Sequence, residues 1–504
     1  ERVRANVKRQ ALYCDMLGSA RWVGELAQRY PAREITPLTP WFANISIHDV
    51  EITGCSTLVD VSALPEKPVK NFFFGNVKAH CDRIGKICDA TKFSMKDVRI
   101  ESCDTVMRID NCDYASFFGF SNVTTGSSVK IEKTGGECRY LNVQTYPLVP
   151  VNYQSIRPGE VWLDTEGKPI QAHGFQVTFR EGKYYWYGED KTHTLFGTNR
   201  MFGGVRCYSS TDFYNWKDEG RIIEPATDPH SPLHHCQKLE RPHILYCAKT
   251  GRYVCWLKSQ SNDGHFVILE AEHFMGPYHF VRNLKPNGFA VGDFDMYADP
   301  DTGKGYVWFE RPHWEQICAE LSDDYTNVNG RYSEHFVGKV PPFTREAAAH
   351  FVMDGKHYIY TSGTTSYTPN PSEVAVFDDY HGEYTVLGNP HIGDEYAHSF
   401  CSQITSVIKI PGKDLYVAMA DRWLPHTNKT DIPKKDWQSF LTRYKDHRPY
   451  PKDFATPKVA DRFYTLVNPN QDVYKATYVF LPIVVKDGIP MIEWKDEWKL
   501  ENYE

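Results

Sequence analysis

The 504-residue sequence has no uninterrupted apolar run approaching the roughly 18 residues that a membrane-crossing helix needs. Its longest, Tyr478-Val479-Phe480-Leu481-Pro482-Ile483-Val484-Val485, is strand-sized and contains a proline. It has no surplus of positive charge either: 57 Lys and Arg against 64 Asp and Glu give −7 at pH 7, and no basic field to hold a phosphate backbone. Neither a membrane nor a nucleic-acid partner is expected. The 13 cysteines include no C-x-x-C pair and no Cys/His cluster with zinc spacing, so no metal site is expected from them. Long helical periodicity is scarce as well. Aromatic residues are what is plentiful, at 14%, and they suit both strands and surfaces that stack on sugar rings. The length exceeds what one core usually holds, so two or more domains are expected.

Between residues 40 and 125 a short pattern recurs: Ile47-His48-Asp49-Val50, Phe74-Gly75-Asn76-Val77, Met95-Lys96-Asp97-Val98 and Phe120-Ser121-Asn122-Val123. A repeat of 20 to 30 residues built on one short apolar strand is the signature of stacked coils, a parallel β-helix. The four valines are expected to stack inward, with Asp49, Asn76, Asp97 and Asn122 on the adjoining turn. Because each coil is stabilised by its neighbours, such a short stack is expected to need a cap or a partner domain.

After the proline-bounded linker Tyr146-Pro147-Leu148-Val149-Pro150 the period lengthens. Five hairpin-like units follow, with turn glycines at Gly182, Gly251, Gly303, Gly355 and Gly412, spaced 69, 52, 52 and 57 residues apart. Each sits where a tight turn needs positive φ between apolar strands. Five units at blade-sized spacing predict a five-bladed β-propeller. The chain is thus read as all-β: a partial right-handed parallel β-helix over 1–145, then a propeller over 146–504, which the strand Tyr478 to Val485 helps to close.

The innermost strands of a propeller face its channel. Counting back from the turn glycines gives His173, Glu240, Asp295, Glu346 and Gln403; counting forward seven from the first and third gives Glu189 and Glu310. One such residue is ordinary channel lining, whereas five in register point to a functional cluster. Crowded carboxylates raise one another's pKa, so one stays protonated, as the acid of glycoside hydrolysis must be. Glu346, in Arg345-Glu346-Ala347-Ala348-Ala349-His350, has an arginine beside it and small residues after it, and is the best acid candidate.

From about Ile156 to Leu481 the chain resembles glycoside hydrolase family 43, and within it the exo-β-1,3-galactanase subfamily. The carrying motifs include Ala172-His173-Gly174, Tyr184-Tyr185-Trp186-Tyr187-Gly188-Glu189, Leu239-Glu240-Arg241-Pro242, Asp295-Met296, Arg345-Glu346-Ala347, Thr361-Ser362-Gly363, Ser402-Gln403 and Asp421-Arg422-Trp423. The resemblance implies an exo-acting, inverting hydrolase that removes terminal galactose from β-1,3-galactan or arabinogalactan side chains. It makes Glu346 the general acid, Glu240 the residue that tunes and orients it, and Gln403 the group that positions and activates water, with an imidic acid tautomer as one route. The usual aspartate base is replaced by His173. Glu189, Asp295 and Thr364 fall at or near positions that bind the terminal sugar, and Glu310 and His173 are grouped with them. An inverting site is expected to hold the acid and the water-activating group roughly 6.5–9.5 Å apart. The segment 35–125 resembles the C-terminal coils of the family 28 polygalacturonases, without their Asn-Thr-Asp, Asp-Asp or Gly-His-Gly motifs, so it is read as catalytically empty.

Three stretches depart from the galactanase pattern: Gly174-Phe175-Gln176, Phe294 and Phe309-Glu310-Arg311-Pro312 carry larger side chains, expected near the pocket. They leave open another pectic side-chain sugar, arabinofuranose or galactofuranose, and a non-catalytic glycan-binding propeller. No cofactor is expected; the resemblance admits a structural calcium ion in the channel, although no dense aspartate loop calls for one. A plant-type polysaccharide substrate points to a secreted or periplasmic setting.

Overall fold

The computed structural model describes residues 3–139, 141–145, 151–192, 194, 201–260, 264–339, 343–365, 367, 369–395, 397–423 and 473–504. The predicted linker at 146–150 lies outside them. Residues 1–151 with 166–168 form one compact unit, and 152–165 with 169–504 form another.

The first unit is the stacked coil. Ala43–Ser62 pairs in parallel with Val69–Glu101, which pairs in parallel with Val106–Asp113, which pairs in parallel with Lys130–Gly135. Parallel neighbours bring like residues together, so Val50 lies opposite Val77, and the ring of Phe72 stacks on Phe93 at 4.9 Å. Asp49, Asn76 and Asp97 all take left-handed backbone (φ 58°, 47° and 52°), the conformation that turns the chain between coil faces and that Asn and Asp tolerate best. Asn76 donates from Nδ2 to Asp49 Oδ1 at 2.5 Å, laddering one coil to the next. Gly85 allows a closer approach: a Cβ there would stand 1.8 Å from the Val59 carbonyl oxygen. The fourth repeat breaks the predicted pattern. Val77 and Val98 are buried, but Val123 is 53% exposed; Phe117 and Phe120 fill the interior, and Asn122 turns inward to donate to the carbonyls of Ser102 and Asp104.

The second unit is a five-bladed propeller. Its inner strands are His173–Arg180, Leu239–Cys247, Phe294–Ala298, Arg345–Met353 and Gln403–Lys409, each starting a four-stranded antiparallel meander; the fifth sheet gains a short parallel strand, His391–Ile392. The predicted turn glycines all have positive φ, between 67° and 79°. Thr477–Lys486 contributes the third strand of blade five. The ring closes through side chains: Trp186 of blade one meets Tyr478 and Phe480 of blade five at 4.5 and 4.9 Å, and the Tyr478 hydroxyl accepts the Ala172 N–H.

Candidate active site

In blades one, two and four, the pairing of the two inner strands slips just after the residue that the sequence count singles out: between His173 and Gln176, Glu240 and His243, and Glu346 and Ala349. The next residue is left-handed in each case, Gly174 (φ 54°), Arg241 (φ 52°) and Ala347 (φ 49°). Such a bulge bends the strand and re-aims the side chain before it. Gly174 must lack a side chain, since a Cβ would stand 2.5 Å from Glu189 Oε1.

Directly across the ladder from these positions stand partners. His173 lies opposite Glu189, Glu240 opposite Lys258, Glu346 opposite Ser362, and Gln403 opposite Asp421. Blade three runs without a bulge from Phe294 to Ala298. There the Glu310 N–H bonds the carbonyl of Asp293, so Asp293 occupies the place that the count assigned to Asp295.

A pocket of about 100 Å³ collects Glu189, Glu240, Asp293, Glu346 and Gln403 with Lys191, Lys238, Arg241, Lys258, Gln260, Tyr367 and Trp423. Lys258 Nζ holds Glu240 Oε2 and Asp293 Oδ1, each at 2.7 Å, and Arg241 Nε holds Asp293 Oδ2 at 2.8 Å. Burial opposes the ionisation of Glu240, but Lys258, Lys238 and Lys191 outweigh it and keep this carboxyl well below its ordinary value. Burial likewise opposes the ionisation of Asp293, and Arg241 and Lys258 outweigh it. Glu346 moves the other way: burial, then Asp293 and Glu310, push its pKa well above the carboxylate range. The pocket therefore favours the protonated form of Glu346 and the ionised forms of Glu240 and Asp293.

Gln403 is bonded on all sides. Its Oε1 accepts from Arg241 NH2 at 2.8 Å and Trp423 Nε1 at 3.1 Å; its Nε2 donates to Ser362 Oγ at 2.9 Å and Glu346 Oε1 at 3.2 Å. Arginine and tryptophan can only donate, so the Gln403 atom facing them acts as an acceptor. The direct bond to Glu346 is shorter than the predicted 6.5–9.5 Å separation.

The other predicted residues lie behind the pocket. His173 is fully buried, with Nδ1 2.9 Å from Asp421 Oδ1 and its ring stacked on Tyr478 at 5.0 Å. Asp295 accepts the backbone N–H groups of His350 and Met296 and stands 3.0 Å from His243 Nε2. Thr364 bonds Thr344 at 2.7 Å. Glu310 accepts the His313 N–H at 2.7 Å, and burial together with Asp293 raises its pKa to about 7. The enlarged residues are behind it too: Phe175, Phe294 and Phe309 are wholly buried in hydrophobic clusters, and Gln176 Nε2 lies 2.7 Å from His243. They replace core, not pocket wall.

Both Asp295 oxygens are engaged by N–H groups, and among the described residues no group of three acidic or histidine ligands converges in the channel.

Asp293, Lys258, Arg241, Ser362, Tyr367 and Trp423 carry no role in the sequence reading. Two were within its reach: the forward count of seven that yields Glu189 and Glu310 also yields Lys258 from Gly251 and Ser362 from Gly355.

Residues 175–407 match the family model described as glycosyl hydrolases family 43. Among solved structures, the chain is similar to a family 43 β-1,3-galactosidase at 27% identity over 70% of this chain and 65% of that one, with a TM-score of 0.56. It is similar to a second family 43 β-1,3-galactosidase, solved with galactodeoxynojirimycin, at 27% identity over 68% of this chain and all of that one, TM-score 0.55. An exo-β-1,3-galactanase from Clostridium thermocellum gives 25% identity over 68% and 66%, TM-score 0.52. The chain thus spans just under two thirds of the first of these. A search of curated proteins gave no match.

Proposed function

From the match of residues 175–407 to the glycosyl hydrolases of family 43, we propose that the protein is an exo-acting, inverting glycoside hydrolase that releases terminal galactose from β-1,3-galactan or arabinogalactan side chains. The observation that carries the reading is the opposite setting of neighbouring carboxyls: Glu346 kept protonated by burial and by Asp293, which Lys258 and Arg241 in turn keep ionised. A protonated Glu346 donates to the leaving glycosidic oxygen. A sugar entering the pocket replaces the Gln403 to Glu346 bond, freeing Gln403 Nε2 to orient the attacking water. With both acceptor sites of Oε1 engaged by Arg241 and Trp423, Gln403 places the water without taking its proton. Tyr367 and Trp423, ring centroids 5.2 Å apart, offer faces for a pyranose.

Galactose is favoured over the furanose alternatives because the enlarged residues that raised them pack into cores. The names of the similar solved structures point the same way. A polymeric plant-type substrate of this kind implies a secreted or periplasmic setting. The reading is tested by incubating β-1,3-galactooligosaccharides with the protein and following products by proton NMR: single galactose units appearing first as the α-anomer support it, and β-anomer or internal cleavage overturns it.

The direct Glu346 to Gln403 bond favours a second reading, a propeller that binds glycans without cleaving them. It predicts saturable galactooligosaccharide binding, unchanged in Glu346→Gln, with no product from either protein.

A further inference from the structure

The segment joining blades one and two, residues 224–238, folds into a tight net of backbone bonds. Ala226 N–H bonds the Leu233 carbonyl and His235 N–H the Ala226 carbonyl; His234 N–H reaches Ser231, and the His235 carbonyl accepts both Met201 and Phe202. The net fixes three consecutive side chains, His234, His235 and Cys236, whose ligand atoms all lie within 4.8 Å of one another. Among the described residues this is the one group of three or more such side chains. The two imidazoles sit 4.0 Å apart, and His234 Nδ1 presents its lone pair to the turn, accepting the Cys236 N–H at 3.4 Å. The histidines are partly buried, and the Cys236 thiol is exposed and outside any disulfide.

We propose that His234, His235 and Cys236 bind a zinc ion, with solvent in the fourth position. Two imidazoles and a thiolate are a donor set that a borderline-soft d¹⁰ cation prefers, whereas calcium and magnesium require oxygen. Zinc to nitrogen distances of about 2.0–2.1 Å and a zinc to sulfur distance of about 2.3 Å put tetrahedral ligands closer together than the present spread. Binding calls for the exposed Cys236 side chain to rotate toward the two histidines. Binding displaces the Cys236 thiol proton to solvent, and the thiolate takes up the metal bond. The three ligands are adjacent in sequence, unlike the spaced pairs by which zinc sites are read. Lys238, two residues on, lines the pocket, so an occupied site would also stiffen one pocket wall.

The test uses the full chain, stripped with a chelator, desalted and titrated with Co²⁺ as a spectroscopic stand-in for zinc. The expected result is a thiolate-to-cobalt charge-transfer band that saturates at one equivalent, is lost in Cys236→Ser, and is abolished when Zn²⁺ is added. Elemental analysis after zinc loading should give one zinc fewer per chain in His234→Ala/His235→Ala than in wild type. All three side chains are at the surface, and an unchanged far-ultraviolet circular dichroism spectrum checks that each variant is folded. A band that survives Cys236→Ser, or equal zinc content in wild type and the double-histidine variant, overturns the proposal.

Discussion

Lys258 stands directly across the inner ladder of blade two from Glu240, and its ammonium is shared, at 2.7 Å each, between that carboxylate and Asp293. One buried cation thus fixes two anions from different blades. Removing it leaves both uncompensated, a loss of about 3–5 kcal/mol for buried pairs. Lys258→Met is therefore expected to lower stability by that order in urea unfolding at pH 7. The sign with pH follows from the depressed pKa values of Glu240 and Asp293: their stabilisation is present above the ordinary carboxylate values and lost as pH falls. The gap between wild type and variant should shrink on acidification, and a constant gap would show that the lysine acts only by packing.

Glu346→Gln keeps the shape and the Gln403 contact while removing the transferable proton. Turnover on β-1,3-galactooligosaccharides should fall about 10²–10⁴-fold, the usual share of a general acid. An aryl galactoside with a good leaving group needs less protonation and should lose much less. Equal losses on both substrates would take Glu346 out of the acid role.

Asp293 raises the Glu346 pKa through its negative charge. Activity requires protonated Glu346, so it holds on the acid side and falls as pH rises through the raised value. Asp293→Asn deletes the repelling charge and leaves Arg241 and Lys258 unneutralised, and both changes favour ionised Glu346. The basic limb of the kcat/KM profile should therefore move to lower pH. An unmoved limb would mean that another group titrates there.

Most of the architecture was legible because propeller and coil both write their period into turns: Gly182, Gly251, Gly303, Gly355 and Gly412 all adopt the positive φ that their spacing implied. The counts back from the turn glycines and the structure meet at Glu240, Glu346 and Gln403, which line one pocket. In blade three the residue across from Glu310 is Asp293 and not Asp295, because the turn between Ala298 and Gly305 is longer than that between Arg180 and Lys183 and moves the count back from the glycine. His173 lies behind the pocket, since a polar residue on an inner strand can serve the scaffold, and a buried Asp421 waits for it. Val123 shows the corresponding weakness in the coil, where the last repeat keeps the letters of the motif but not its burial.

Glu310, raised from its ordinary 4.5 to about 7 by burial and then by Asp293, binds its proton more tightly in the folded chain. Stability from this group is full below pH 4.5 and is lost as pH rises toward 7. The melting temperature of wild type relative to Glu310→Gln should decline across that interval. A difference independent of pH would show that Glu310 titrates normally.

Trp186 is wholly buried where blade one meets blade five. Trp186→Ala should cost about 3–5 kcal/mol, as large aromatic truncations in cores do, measured as a lower midpoint in denaturant. A loss below 1 kcal/mol would mean that the ring is held shut elsewhere.

The slip after the rim residue in blades one, two and four has one more effect. It uncouples the identity of that residue from the ladder between the second and third strands, which runs on unbroken. Glu240 and Glu346 face the pocket from such slips, whereas His173 is tied into the scaffold by Asp421 and Tyr478. Diversification of such a protein, by natural drift or in the laboratory, is channelled to a few rim positions, while the blades stay the same.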